Sequence, residues 1–209
     1  MALFLTSTTR KIRATFVAGA LLAGGSVVAG SGSVGAQGVL CQGEAATILA
    51  VPGVPTLGTS GRDVIAGTLG DDNINGLGGN DVICGFAGND VLTGGYGNDI
   101  INAGGGNDVV NAGFGNDTVF GGTGPDILRG QGGEDSIFGD LGHDLLVGGT
   151  GDDTLIGGIG DDIHRGGPGD DDLIGRGGND RLAGQDGHDA CSDTDAGTFT
   201  HTCEILNLP

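Results

Sequence analysis

The sequence predicts an all-β solenoid built from one short repeated unit, and three observations carry that prediction. Glycine supplies 49 of 209 residues against 7 Phe, 1 Tyr and no Trp, too few large side chains for an ordinary globular core. Hydrophobic residues still make up 37%, more than a solvated, disordered tail needs. Third, a period of nine runs without insertion or deletion from residue 58 to residue 192, which is fifteen units.

Ahead of the repeats, residues 1–36 read as a secretory signal peptide. Arg10, Lys11 and Arg13 close a basic start, residues 14–29 are small and apolar, and Val34-Gly35-Ala36 offers small residues for cleavage. The apolar run is short and interrupted by glycine, which disfavours a permanent membrane span. Leu40 before Cys41 disfavours a lipid anchor, and Arg10-Lys11 is a poor twin-arginine signal. The mature chain is expected to begin near Gln37 and to be extracellular, with residues 37–57 as an N-terminal cap.

Four cysteines in an oxidising compartment favour disulfides. Three pairings are possible. Cys41 precedes the repeats and Cys84 lies in their third unit, while Cys191 and Cys203 sit together at the far end, which favours 41 with 84 and 191 with 203. Buried free thiols are the alternative, and a zinc site is disfavoured because no two cysteines are two to four residues apart.

Within the unit, position four is Gly and position six is Asp in all fifteen copies, and position one is Gly except at Ala103 and Ala112. Position eight is Ile, Leu or Val except at His164 and Cys191. Glycines at one and four suit positive φ, so the first six residues are expected to turn and the last three to form a very short strand with position eight inward. One small aliphatic per unit cannot make a core alone. Two units as the sides of a flattened eighteen-residue coil bring two such side chains together, and stacked coils continue that core for about 36 Å at roughly 4.8 Å per strand.

Stacking also places the aspartates of alternate units above one another. One column is Asp63, Asp81, Asp99, Asp117, Asp135, Asp153, Asp171 and Asp189; the other is Asp72, Asp90, Asp108, Asp126, Asp144, Asp162 and Asp180. Carboxylates about 5 Å apart repel by on the order of 1 kcal/mol per neighbour even in water. A hard divalent cation between rungs reverses that sign, and carboxylate and carbonyl oxygens with flexible geometry point to Ca²⁺ ahead of Mg²⁺.

The unit Gly-Gly-x-Gly-Asn-Asp-x-Leu-x, nearly intact at residues 94–102 and 148–156, resembles the repeats-in-toxin, or hemolysin-type, calcium-binding nonapeptide. The resemblance covers about two thirds of the chain. It implies a right-handed parallel β-roll with each calcium held between loops two units apart, and position-six Asp and backbone carbonyls as ligands. About thirteen gaps are available, and thirteen dications exceed the 22 or so negative charges left after the leader, so some sites are expected to be weak or empty. The flanks look like those of small secreted bacterial calcium-binding repeat proteins.

Several positions depart from the pattern. His164 is expected to be a tolerated core residue satisfied by a backbone carbonyl, ahead of a metal ligand. Pro125 and Pro168 are expected to be harmless in loops. Leu77, Phe86, Gln131, Asp140, Arg176 and Gln185 replace glycine at position two without touching the Asp columns, and His143 and His188 at position five read as solvated. Outward-facing lines of apolar residues also stack: Val91, Val109, Ile127, Leu145 and Ile163 on one face, Phe120, Phe138, Ile156 and Ile174 on the other. They offer a contact surface for a protein, a polymer or a second copy, or else reflect β-propensity or cover by residues 37–57.

These features exclude most function classes. The acidic excess, net −19, disfavours nucleic acid and anionic lipid. No His-Glu-x-x-His or Gly-x-Ser-x-Gly occurs, and the short flanks 37–57 and 193–209 leave no room for a catalytic domain. A secreted, non-enzymatic calcium-binding module remains, with an adhesin or surface component as the alternative and ice binding disfavoured by an incomplete Asn80, Asn98, Asn116 ladder.

Overall fold

The computed structural model describes residues 39–193, in which the chain forms strands and turns only. Strands from alternate units pair in parallel at a spacing of eighteen residues, as in Val91↔Val109↔Ile127↔Leu145↔Ile163. One face of the molecule is a sheet of eight strands and the other a sheet of nine, giving a parallel β-solenoid of about eight turns. The core is a single file between them, running from Ile65 through Leu92, Val119 and Leu146 to Leu182, each at most 1% exposed.

Two expectations about the unit are corrected. Strands are six residues long, for example Val91–Tyr96 and Ile100–Gly105, so they cover positions seven to nine and continue through position three of the next unit. The turn is confined to positions four to six. Three positions face inward, not one: Asp90, Leu92 and Gly94 are buried in succession while Val91 and Thr93 face out, as strand alternation requires.

Position-one glycines serve space, not φ. A Cβ on Gly76 would overlap Asp81 Oδ2 and the Gly94 carbonyl, and one on Gly85 would overlap Asp90 Oδ2 and the Ala103 carbonyl. Positive φ falls instead at positions two and four, as at Gly95 (117°) and Gly97 (120°). Six of the eight non-glycine residues at position two keep that backbone, with φ from 69° at Asp140 to 85° at Arg176, whereas Thr59 and Thr68 do not. Each of the six therefore holds a conformation that costs an L-residue roughly 1 kcal/mol.

The N-terminal cap extends the stack. Ile48 pairs with Ile65 and Thr56 with Ile74. Strands Leu40–Cys41 and Glu44–Ala45 form a hairpin whose two-residue turn, Gln42-Gly43, has positive φ at both positions. Cys41 is disulfide-bonded to Cys84, and the hairpin covers Val64 and Val82 on the outside of the first coils. An ion pair between Arg62 and Glu44 (2.7 Å) fastens its other side. The hairpin does not extend over the line from Phe120 to Ile174. The predicted signal peptide, and Cys203 of the second predicted disulfide, lie outside the described residues.

Pro168 is not neutral. Strand Leu145–Thr150 pairs with Ile163–Pro168 only as far as Val147↔Arg165, whereas other neighbours keep two further pairs. Proline offers no amide to the ladder at that point.

Candidate metal centre

The inward turn of position six carries all fifteen aspartates into the solenoid, where Asp63 through Asp180 are at most 7% exposed. The two columns stack as the period requires. Their neighbours do not simply repel, however: the Asp63 N–H donates to Asp81 Oδ1 (2.8 Å), and the same bond recurs at 2.7–3.1 Å up both columns to Asp189. One oxygen of each column carboxylate from Asp81 onward is thus satisfied by the backbone of the preceding coil.

The other oxygen is not. Oδ2 of each column aspartate from Asp81 to Asp171, and of Asp189, is buried without a hydrogen-bond partner. Desolvation pushes these carboxyls upward against the lowering effect of the Asp N–H, taking Asp90, Asp117, Asp126, Asp144 and Asp153 to about 7. Asp99, Asp135, Asp162 and Asp171 rise to about 6 for the same reason, and Asp81 and Asp108 also move up. A row of buried, half-satisfied carboxylates is costly to leave so.

At the position-one glycines from Gly58 to Gly166 the space beside Oδ2 is closed by the carbonyl of the position-one residue one coil on, as at Gly148 between Asp153 Oδ2 and the Gly166 carbonyl. Among the described residues no three His, Cys, Asp or Glu side chains cluster. A cation here is therefore offered one or two carboxylates supplemented by carbonyls, an oxygen set that fits Ca²⁺.

Asp63 and Asp72 differ. They begin the columns, and their Oδ2 atoms accept from the backbone N–H (2.7 and 2.6 Å) and hydroxyl (2.9 and 3.0 Å) of Thr59 and Thr68. Asp189, at the other end, still accepts from the Asp171 N–H at 3.1 Å.

Position five makes a second ladder, of which the sequence showed only the partial Asn80, Asn98, Asn116 line and not its hydrogen bonds. Asn98 N–H donates to Asn80 Oδ1, Asn116 N–H to Asn98 Oδ1 and Glu134 N–H to Asn116 Oδ1, at 3.0–3.1 Å. His143 is an exposed rung of the matching ladder in the alternate column, accepting from the Asp161 N–H at Nδ1 (2.8 Å). The recurrence of Asn at this position was the available signal. Pro125 has neither the amide nor the acceptor.

His164 overturns its expected role. It is fully buried, and no backbone carbonyl satisfies it: Nδ1 and Nε2 both lack a partner. Burial pushes its pKa down to about 4, so the ring is neutral at pH 7. The apolar lines are also present: Phe120 and Phe138 stack at 5.0 Å, and Phe138, Leu141, Ile156, Ile159 and Ile174 line a shallow groove that reaches Ser192.

Together these features define a class: a β-solenoid whose turns present stacked, unneutralised carboxylates and carbonyls to divalent cations. Residues 57–85, 85–119, 112–146, 142–171 and 165–191 match the RTX calcium-binding nonapeptide repeat, named HemolysinCabind. The chain belongs to that family, and binding of Ca²⁺ follows from it. Among curated proteins none matches the chain.

Proposed function

We propose that the protein is a secreted, non-catalytic module whose folding is driven by calcium held in the gaps of the two aspartate columns. One observation carries the reading: buried Oδ2 atoms without partners in successive coils. An ion wedged between consecutive coils supplies the counter-charge that the chain lacks, since Arg129, Arg165, Arg176 and Arg181 are the only cations between residues 63 and 193 apart from histidines. The ligands are the carboxylates of Asp81 to Asp189 with position-one carbonyls, while Asp63 and Asp72, already served by threonines, are the weakest contributors. Family membership, the Cys41–Cys84 bond and the leader-like residues 1–36 support export to a place where calcium is plentiful.

Calorimetry with circular dichroism tests this on the mature chain. Calcium is expected to bind at several sites and to raise the strand signal from a low starting value in chelator. Full strand signal in chelator would remove the coupling, and absence of heat or ion uptake would remove the calcium assignment.

A second reading, an adhesin or surface component in which calcium is only structural, is favoured by the Phe120 to Ile174 line and its groove. It requires the calcium-loaded chain to self-associate or adhere to cells, and Ile156→Glu to abolish that contact while leaving calcium-dependent folding unchanged. A monomeric, non-adherent loaded chain rules it out.

A further inference from the structure

At one rung the wall of the solenoid is not apolar. Gly121 and Gly157 occupy the same place in the repeat, and each has the Oδ2 of its own unit's aspartate and the carbonyl of the next coil within 3.0 Å of where a Cβ would stand. At Gly121 the third neighbour of that point is a methyl of Leu128; at Gly157 it is Nε2 of His164. Asp162 Oδ2, His164 Nε2 and the Gly175 carbonyl therefore converge there.

Both side chains are closed off from solvent, Asp162 at 1% and His164 at 0% exposure, and neither Asp162 Oδ2 nor His164 Nε2 has a hydrogen-bond partner. Above and below His164 in its sheet stand Leu146 and Leu182, which offer it nothing polar. An imidazole nitrogen without a partner, placed beside an unsatisfied carboxylate oxygen, has the chemistry of a metal ligand and not of a core filler.

We propose that this rung is a separate site for a nitrogen-preferring divalent ion, of the Zn²⁺, Co²⁺ or Ni²⁺ kind, held by Asp162, His164 and the Gly175 carbonyl. Calcium takes oxygen ligands, so the imidazole disfavours it here, whereas borderline transition ions accept one nitrogen and two oxygens readily. The array then carries one gap of different selectivity, at most one ion per chain. This rests on the placement of Asp162 and His164 and does not require calcium to drive folding.

The test uses the full mature chain saturated with calcium, then titrated with Zn²⁺ or Co²⁺ and desalted, with metal counted by elemental analysis and the Co²⁺ form read by its visible spectrum. Three chains are compared: the natural one, His164→Leu, and His143→Ala/His188→Ala/His201→Ala. His164→Leu carries the residue found at this position in neighbouring rungs, so the core tolerates it. The natural chain and the triple variant are expected to retain about one transition ion per chain. His164→Leu is expected to bind it at least tenfold more weakly, with calcium uptake elsewhere unchanged. Equal retention by His164→Leu, loss confined to the triple variant, or no retention by any chain overturns the proposal. Failure of calcium uptake with zinc retained would instead overturn the calcium reading alone.

Discussion

Asp63 and Asp126 hold the same position in the repeat, yet Oδ2 of the first meets a threonine and Oδ2 of the second meets no donor. Thr59 gives Asp63 two donors, through its amide and its hydroxyl, and Thr68 does the same for Asp72. From Asp81 to Asp171 the corresponding oxygen of the column is buried without a hydrogen-bond partner. The difference shows that the chain can supply donors to Oδ2 where the columns begin, although Asp72 then keeps a buried Oδ1 without a hydrogen-bond partner. Elsewhere glycine or another residue stands at position two, and no such donor reaches Oδ2.

The largest expected effect comes from removing metal. In chelator at pH 7.5 the interior rungs should melt, seen as loss of strand dichroism and of protease resistance, with stability returning roughly as the logarithm of free calcium. Next comes substitution within the columns. Asp126→Asn should cost about 3 kcal/mol in saturating calcium and lower ion uptake, because a buried charge pair loses one partner. Without calcium the same change should stabilise the roll, since it removes an uncompensated buried charge. Asp63→Asn should be near neutral in metal dependence. Denaturant unfolding with and without calcium checks all four values.

Acidity comes third. The interior carboxyls have folded-state pKa values of about 6 to 7, above the unfolded value near 4. In the metal-free chain the resulting stability is complete below pH 4 and is lost as pH rises through 6 to 7. Metal-free protein should therefore be more ordered at pH 4 than at pH 7.5, while calcium should bind more weakly at pH 5 and release protons near pH 6.5. Dichroism across that range and calorimetry in two buffers of different ionisation heat measure both.

Smaller effects refine the contrast. Thr59→Val and Thr68→Val should each cost about 1 kcal/mol by leaving a first-rung carboxylate short of a hydroxyl, read as a lower Tm in saturating calcium. Gln131→Gly should gain less than about 1 kcal/mol, as relief of a φ of 83° is partly offset by the entropy of an added glycine.

The stacking, the two aspartate columns and the file of position-eight aliphatics were legible because a strict nine-residue period fixes which residues lie eighteen apart. Strand length was not. A glycine that serves close approach, as at Gly76 under Asp81 Oδ2, looks in sequence like one that serves positive φ, as at Gly97. The threonine caps were equally hidden, since nothing in the spacing marks Thr59 or Thr68 as a donor to the aspartate four residues on. His164 was recognised as an exception, but whether a core histidine finds a partner depends on neighbours that only the fold assembles.

The disulfide at one end gives the molecule a direction. Cys41 is tied to Cys84, so the earliest coils are locked to each other and to the hairpin that covers them. Tension applied at the far terminus peels turns away one after another, like a zipper drawn toward its stop, and halts where that covalent clasp begins. What survives the pull is a short template already in register, onto which the rest can rewind.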